Sequence, residues 1–525
     1  MSARRARQAG TPDGSEALER ERARADAASL DADRAERELL EAQARVRQLE
    51  SKLAATERRL ETLRRRADVR VGDGLRAGVG ALRSAVGRRR SPKPGPLEGP
   101  HAVGRSFDGV EPRDLPARYR ETLLAALAGT PGVAPFTVVP FGPMDELLAG
   151  LEARGIVRSR DQFGADAILV ADPRIAYPDR LPEGPIRIGV HPAAGPGFDI
   201  RVGPSDDQAG AVIEAVERWL RATRVGIRIP APHPGAADSW GDTHFARAFR
   251  DALRRAGWEA RTRLRHVWDE PFVGVDDIVL DLLGLHEVTS ALGAVRVLWQ
   301  ISHPELARPD LYARYDVAFA ASDGFAARMA GQVETPVHAL HQATDPERFR
   351  PTPGGPTHEL LFVGGWRQAG RRILEDLLPT DHELAVYGGR WTPERIDPRH
   401  LGGATVRNDE LAAFYGGAAI VLNDHWAAMR REGFLSNRLY DAAAAGAFVI
   451  SDRVDRLEEE FDGGIVGYGD RHELRALVDR FLADPGARRE HAERARAAVL
   501  ARHTFDHRAR RFIEVVGPLL PDALS

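Results

Sequence analysis

Residues 416–452 read GGAAIVLNDHWAAMRREGFLSNRLYDAAAAGAFVISD, and their order decides the fold. The apolar run Ala418 to Leu422 predicts a buried parallel strand, and a charged, glycine-containing loop follows from Asn423 to Leu435. Ser436 stands where an N-cap belongs, the helix runs through four alanines, and Gly446 sits where a helix ends. A second apolar run, Ala447 to Ile450, begins at once. The unit is strand, loop, helix, strand, with its polar residues gathered at the helix start. In open parallel sheets ligands bind at the carboxyl edge of the strands, where helix N-termini hold phosphate, so the stretch predicts a nucleotide site.

The string R-E-G-F-L-S-N-R-L-Y-D-A-A-A-A-G-A-F-V-I-S-D resembles the C-terminal signature of CgeB-like, spore-maturation-type glycosyltransferases, which have the GT-B fold and are related to the family four retaining enzymes. The resemblance continues through W-G-D-T-H, W-Q-I-S-H-P and H-Q-A-T-D-P-E-R-F-R-P and covers residues 224–518. It implies two doubly wound Rossmann-like domains and transfer of a sugar from a nucleotide-diphosphate sugar, as co-substrate, to a glycan or glycoconjugate acceptor. In those relatives a Glu before the helix meets the sugar-nucleotide and a second acid takes the ribose hydroxyls. Glu432 matches the first, and Asp441, beside Tyr440, stands for the second. Gly433, Phe434, Ser436, Asn437 and Arg438 fall within the same donor signature.

The chain has 525 residues, too many for one core, and divides into 1–68, 69–113, 114–222, 224–345 and 346–518. Its net charge of −3 gives no reason to propose nucleic acid as a partner, and the absence of cysteine excludes thiol nucleophiles and thiolate metal sites. No apolar run approaches the roughly 18 residues of a membrane span and the first residues lack a signal-peptide core, so a cytoplasmic protein is expected. Lys52 and Lys93, both ahead of the globular region, are the only lysines. A phosphate-loop lysine and a Schiff-base lysine are therefore excluded, and any phosphate clamp must use Arg, His and backbone N–H groups. The turn after HELLFV supplies Gly364, Gly365, Arg367 and Arg371 for that purpose. The D-x-D string Asp31-Ala32-Asp33 lies in the first segment, so no metal ligands of the GT-A type are expected and no metal site is assigned.

His244 is an acid/base candidate, placed with Asp242 on the loop after the first strand of the N-terminal half; His425 is a donor-side candidate and His303 an acceptor-side one. Segment 1–68 carries Leu39, Val46, Leu53 and Leu60 at heptad spacing beside a second seam of Leu49 and Leu63, which predicts a coiled coil and a homo-oligomer. Segment 69–113 reads as a linker in which Leu75, Val79, Leu82 and Val86 precede three arginines, the pattern of a basic amphipathic helix able to touch the inner face of a membrane. Its glycines favour a solvated linker instead. Segment 114–222 looks like a reduced internal copy of the next domain: GVHP and FDIRVGPSDDQA match ISHP and YDVAFAASDGFA, but nothing in it answers to WGDTHFA. The rival readings are a nucleotide-sugar epimerase of the same fold and an inactive coiled-coil scaffold.

Overall fold

The computed structural model describes residues 110–521, apart from 163, 176–180, 182–183, 196, 269–274, 284–293 and 368–369, together with the backbone of 101–102 and 105–106. The heptad segment 1–68 and the amphipathic stretch from Leu75 to Val86 lie outside the described residues.

The first α/β domain comprises α1 (Leu115–Leu127), β1 (Thr137–Phe141), α2 (Asp145–Glu152), β2 (Val157–Arg158), β3 (Ala167–Val170), β4 (Ile186–Gly189), β5 (Ile200–Arg201) and α3 (Gln208–Arg221). Its parallel sheet has the order β2-β1-β3-β4-β5. The second comprises β6 (Arg224–Ile229), α4 (Pro234–Ala237), α5 (Gly241–Arg255), β7 (Glu259–Leu264), β8 (Ile278–Leu283), β9 (Val295–Gln300), α6 (Pro309–Tyr312), β10 (Val317–Ala320), α7 (Asp323–Ala330) and β11 (Val337–Ala339). Its order, β7-β6-β8-β9-β10-β11, repeats that of the first sheet with one strand added. Strand β7 has the sequence EARTRL, and Arg265–Val267 form a 3-10 turn after it. Its arginines are buried because Asp199 and Asp276, distant in sequence, neutralise Arg261 and Arg263 at 3.2 and 2.9 Å.

The third domain comprises β12 (His358–Val363), α8 (Arg372–Leu377), β13 (Leu384–Tyr387), β14 (Leu401–Gly403), α9 (Leu411–Gly417), β15 (Ala418–Asn423), α10 (Ala427–Arg431), α11 (Asn437–Ala444), β16 (Val449–Asp452), α12 (Leu457–Glu460) and β17 (Val466–Tyr468). The parallel order β14-β13-β12-β15-β16-β17 reverses at β12 and β15, the switch point at which an open sheet binds ligands. Helices α13 (Arg471–Ala483), α14 (Pro485–Arg502) and α15 (Phe505–Val516) end the described chain. The second and third domains form two doubly wound halves with cavities between them, the GT-B architecture expected from the sequence.

The halves are fastened in two ways. On α5, Phe245, Phe249 and Leu253 recur on one helical face and bury themselves on the second sheet. Phe505 and Phe512 of α15 return to pack edge-on against Phe245 and Phe249, at ring separations of 4.8 and 5.4 Å. Each such aromatic contributes about 1.5–3 kcal/mol by burial. Where the chain crosses, Thr344 takes the His503 carbonyl at 3.0 Å and returns its own to Phe505 N–H at 3.0 Å. The end of the chain thus belongs to the core of the N-terminal half.

Candidate active site

Strand β12 delivers Gly364 and Gly365 to the carboxyl edge. The Gly364 backbone is committed within the protein: its N–H donates to Tyr387 O at 2.7 Å, and its carbonyl accepts from Trp391 Nε1 at 2.8 Å. A Cβ on Gly388, which has φ +151°, would strike that carbonyl, so only glycine lets the two turns meet. What Gly364 offers a ligand is space. A Cβ there would lie 3.0 Å from Arg371 Nη2 and 3.1 Å from Arg438 Nη2, so two guanidinia converge over the bare Cα. For Gly364 this corrects the expectation that its backbone groups reach the ligand.

A third guanidinium joins them. Arg367 Nη2 and Arg371 Nη1 reach Asp424 Oδ1 at 2.6 and 3.0 Å, and Arg371 also donates to Gly365 O. Arg438, from the first turn of α11, donates to Asn423 Oδ1 at 2.8 Å. Arg367 stacks on Trp426 at 4.2 Å, and its buried Nε has no hydrogen-bond partner. Three cations thus face one carboxylate. Burial, with Arg367 adjacent, pulls the Arg371 guanidinium well below its ordinary value, so the cluster is short of negative charge.

Ser436 occupies the N-cap position of α11 without capping it; its Oγ donates to Asn423 Oδ1 at 3.0 Å. Its N–H, expected to face phosphate, donates to His425 Nε2 at 2.9 Å. The other ring nitrogen of His425 lies 2.7 Å from Asp452 Oδ1, and both side chains are fully buried. Burial favours the neutral acid, but the neighbouring His425 outweighs it and holds the Asp452 carboxyl below its ordinary value. His425 therefore has no ring nitrogen for a ligand, and it positions the helix start instead. Both expectations are corrected by one hydrogen bond.

Glu432 ends α10, a short helix not read from the sequence. Its carboxylate pairs with Arg328 of α7 and, at 3.3 Å, with Arg431, while its carbonyl accepts from Ser322 Oγ at 2.7 Å. In this structure Glu432 bridges the halves and does not line the cavity described below. Gly433, at φ +72°, turns the chain, and Phe434 is fully buried edge-on to Phe325 at 5.1 Å. Both join the halves rather than present a group to donor. His303 sits in a left-handed conformation at φ 53°, with Nδ1 2.8 Å from Glu305 and its ring 5.6 Å from Trp426. It lies at the same contact between the halves and lines neither cavity described here.

A cavity of about 310 Å³ does bring predicted residues together: Asp242 and His244 from the start of α5 face Asn437, Arg438 and Asp441 of α11. Asp441 accepts from Thr344 Oγ1 and Asn437 Nδ2, both at 2.7 Å. Burial pushes its carboxyl up to about 7 against those hydrogen bonds. His244 Nε2 lies 3.0 Å from Asp238 O and so carries the proton, which leaves buried Nδ1 as a lone-pair nitrogen without partner. Burial also lowers the His244 pKa, which keeps the ring neutral. Sequence reasoning missed Arg348, Asn408 and Tyr415 in this wall. Arg348 lies inside the quoted H-Q-A-T-D-P-E-R-F-R-P string, where it reads only as linker.

Among the described residues no group of three or more His, Asp or Glu is placed to hold a metal, and no helix is long and apolar enough to cross a membrane. Solved structures similar to the chain include sucrose-phosphate synthase from Thermosynechococcus elongatus, at 14% identity over 57% of this chain and 99% of that one, TM-score 0.41. AviGT4, a glycosyltransferase involved in avilamycin A biosynthesis, is similar at 17% identity over 57% and 98%, TM-score 0.41. HepE of Anabaena, in complex with UDP and glucose, is similar at 12% over 56% and 100%, TM-score 0.39. No curated protein matches the chain. The glycosyl transferase-like family model matches residues 367–514, from the arginine turn to the last helix.

Proposed function

We propose that the chain transfers a sugar from a nucleotide-diphosphate sugar to an acceptor held by the N-terminal half, as the resemblance to CgeB-like enzymes implies. The observation that carries this reading is the single cavity in which Asp242 and His244 of one half face Asn437, Arg438 and Asp441 of the other. The diphosphate lies against Arg371 and Arg438 over Gly364, with Arg367 behind them. Asp441 takes the ribose hydroxyls, and Glu432 meets the sugar when the halves close on the donor.

In the transfer, the acceptor hydroxyl oxygen forms a bond to the anomeric carbon, and the bond from that carbon to the diphosphate oxygen breaks. The electron pair leaves with the diphosphate, whose growing charge the arginines stabilise, and the hydroxyl proton passes to His244 Nδ1. The positive charge is assigned to arginine rather than to a divalent cation, so EDTA should leave the rate unchanged. Retention of the anomeric configuration, implied by the resemblance to family four enzymes, requires the acceptor oxygen to attack from the face that the diphosphate leaves, and it is read from the product by NMR. Segment 1–68 joins copies of the chain through its heptads; its deletion should reduce the mass measured by light scattering.

A panel of nucleotide-diphosphate sugars, assayed for nucleoside diphosphate released with and without sugar acceptors, tests the function. Acceptor-dependent release supports transfer. Conversion of the donor sugar without release would mean an epimerase instead, and no turnover of any donor would overturn the enzyme reading.

A further inference from the structure

A second cavity, of about 580 Å³, adjoins the first and shares His244, Arg348 and Asn408 with it. All three α/β domains build it. The face of α5 that carries Thr243, Arg247 and Arg250 forms one wall, Arg187 comes from β4 of the first domain, and Arg407 comes from the third. The first domain, which has no counterpart of the WGDTHFA loop, here completes a site made by the other two.

The lining is unbalanced. Five guanidinia, Arg187, Arg247, Arg250, Arg348 and Arg407, meet three carboxylates, Asp238, Asp251 and Asp409. Those carboxylates are engaged: Arg247 with Asp238 at 2.6 Å, Arg250 with Asp251 at 2.8 Å, and Arg407 with Asp409 at 3.0 Å. Arg187 shares Asp199 with Arg261, at 3.4 and 3.2 Å. Arg348 is left over, and its buried Nε has no hydrogen-bond partner. Two further atoms of the same wall are buried and unpartnered: Thr243 Oγ1, on a side chain with no exposure, and His244 Nδ1. The excess of guanidinia, with Arg348 paired to no carboxylate among the described residues, makes the cavity receptive to an anion.

We infer that this cavity is the acceptor subsite and that the acceptor carries an oxyanion, a phosphate or a carboxylate, bound by Arg348 with Arg407 while its nucleophilic hydroxyl lies at His244, where the two cavities meet. The inference rests on the transfer reading above. A guanidinium fork fits either oxyanion, and Arg438 lines the first cavity while Arg407 lines the second.

Calorimetric titration of the full chain, with the donor site filled by saturating nucleoside diphosphate, tests it using inorganic phosphate, acetate and glucose as probes. Phosphate or acetate should bind more tightly than glucose, and the tighter of the two identifies the anion. Arg348→Gln should weaken that binding by about tenfold or more. Arg407→Gln, at an exposed position, should weaken it without affecting nucleoside-diphosphate affinity and serves where Arg348→Gln does not fold. Oxyanions that bind no better than glucose, or equally well to both variants, would overturn the inference. Failure of nucleoside diphosphate to bind the wild type would overturn the donor reading instead.

Discussion

The two halves bury the same kinds of charge and use them differently. In the N-terminal half, Arg228 meets Asp281 bidentately across paired strands at 2.5 and 2.7 Å, Arg263 meets Asp276, and Arg224 meets Asp277. Arg228 and Arg263 meet one carboxylate each, whereas Asp277 also serves Arg120 at 2.9 Å. At the carboxyl edge of the C-terminal sheet, Arg367 and Arg371 share Asp424, and Arg438 converges on the same place while donating to Asn423. A balanced buried pair closes on itself and specifies packing, whereas an unbalanced one remains receptive to an anion.

If that distinction holds, breaking a balanced pair should have the largest effect on the fold. Asp281→Ala removes the carboxylate that buried Arg228 meets bidentately, and urea unfolding should show a loss of about 3–5 kcal/mol. Arg371→Ala should do the reverse: the unfolding midpoint changes little, because Arg367 still holds Asp424, while nucleoside-diphosphate binding loses about 1.5–3 kcal/mol of charge-assisted hydrogen bonding. Glu432→Gln should cost roughly tenfold in turnover with the fold intact, through the lost charge-assisted bond to the sugar. Gly364→Ala should weaken nucleotide binding less than Arg371→Ala, since the new Cβ presses only on the movable ends of Arg371 and Arg438 and on Phe362.

Asp441 sharpens the comparison through pH. Its folded pKa of about 7 lies above the ordinary carboxyl value of about 3.9, so between these the folded chain holds a proton that the unfolded chain has lost. Its contribution is therefore fully present below about pH 4 and is lost as the pH rises through about 7. The stability of wild type relative to Asp441→Asn, measured by urea unfolding across that range, should decline and then level off. Donor binding should strengthen over the same interval as the carboxylate forms and accepts the ribose hydroxyls.

The first two sheets offer a quieter comparison. Asp166 and Asp277 each accept the first N–H of the neighbouring lead strand, at 2.8 and 2.9 Å, and Asp199 and Asp316 each accept the second N–H of the fourth strand, both at 2.8 Å. The strands FDIRV and YDVAF hold the same place in the two sheets, in support of our proposal that 114–222 is a duplicate. That relation was legible because the matching residues are close in sequence to their strands. The strands of residues 416–452 and the glycine at the end of α11 were legible for the same reason, through apolar runs and a positive-φ Gly446. The cluster of Arg367 and Arg371 could be anticipated from the absence of lysine after Lys93. Other parts depended on contacts that no local pattern records. The edge strand β7 looks polar until Asp199 and Asp276 arrive, and His425 looks like a ligand until Asp452 and Ser436 take both its nitrogens. Arg348 looks like linker until the halves close around it.

The central claim is that the unbalanced arginines at the carboxyl edge hold the donor diphosphate. Calorimetric titration of nucleoside diphosphate into wild type, Arg371→Ala and, as the balanced control, the exposed pair variant Arg255→Ala tests it most directly, since Arg255 pairs with Asp506 at 2.7 Å and lines neither cavity. The account predicts affinity at least tenfold lower for Arg371→Ala and unchanged for Arg255→Ala, a gap of about 1.4 kcal/mol or more. Equal affinity in all three proteins would contradict it.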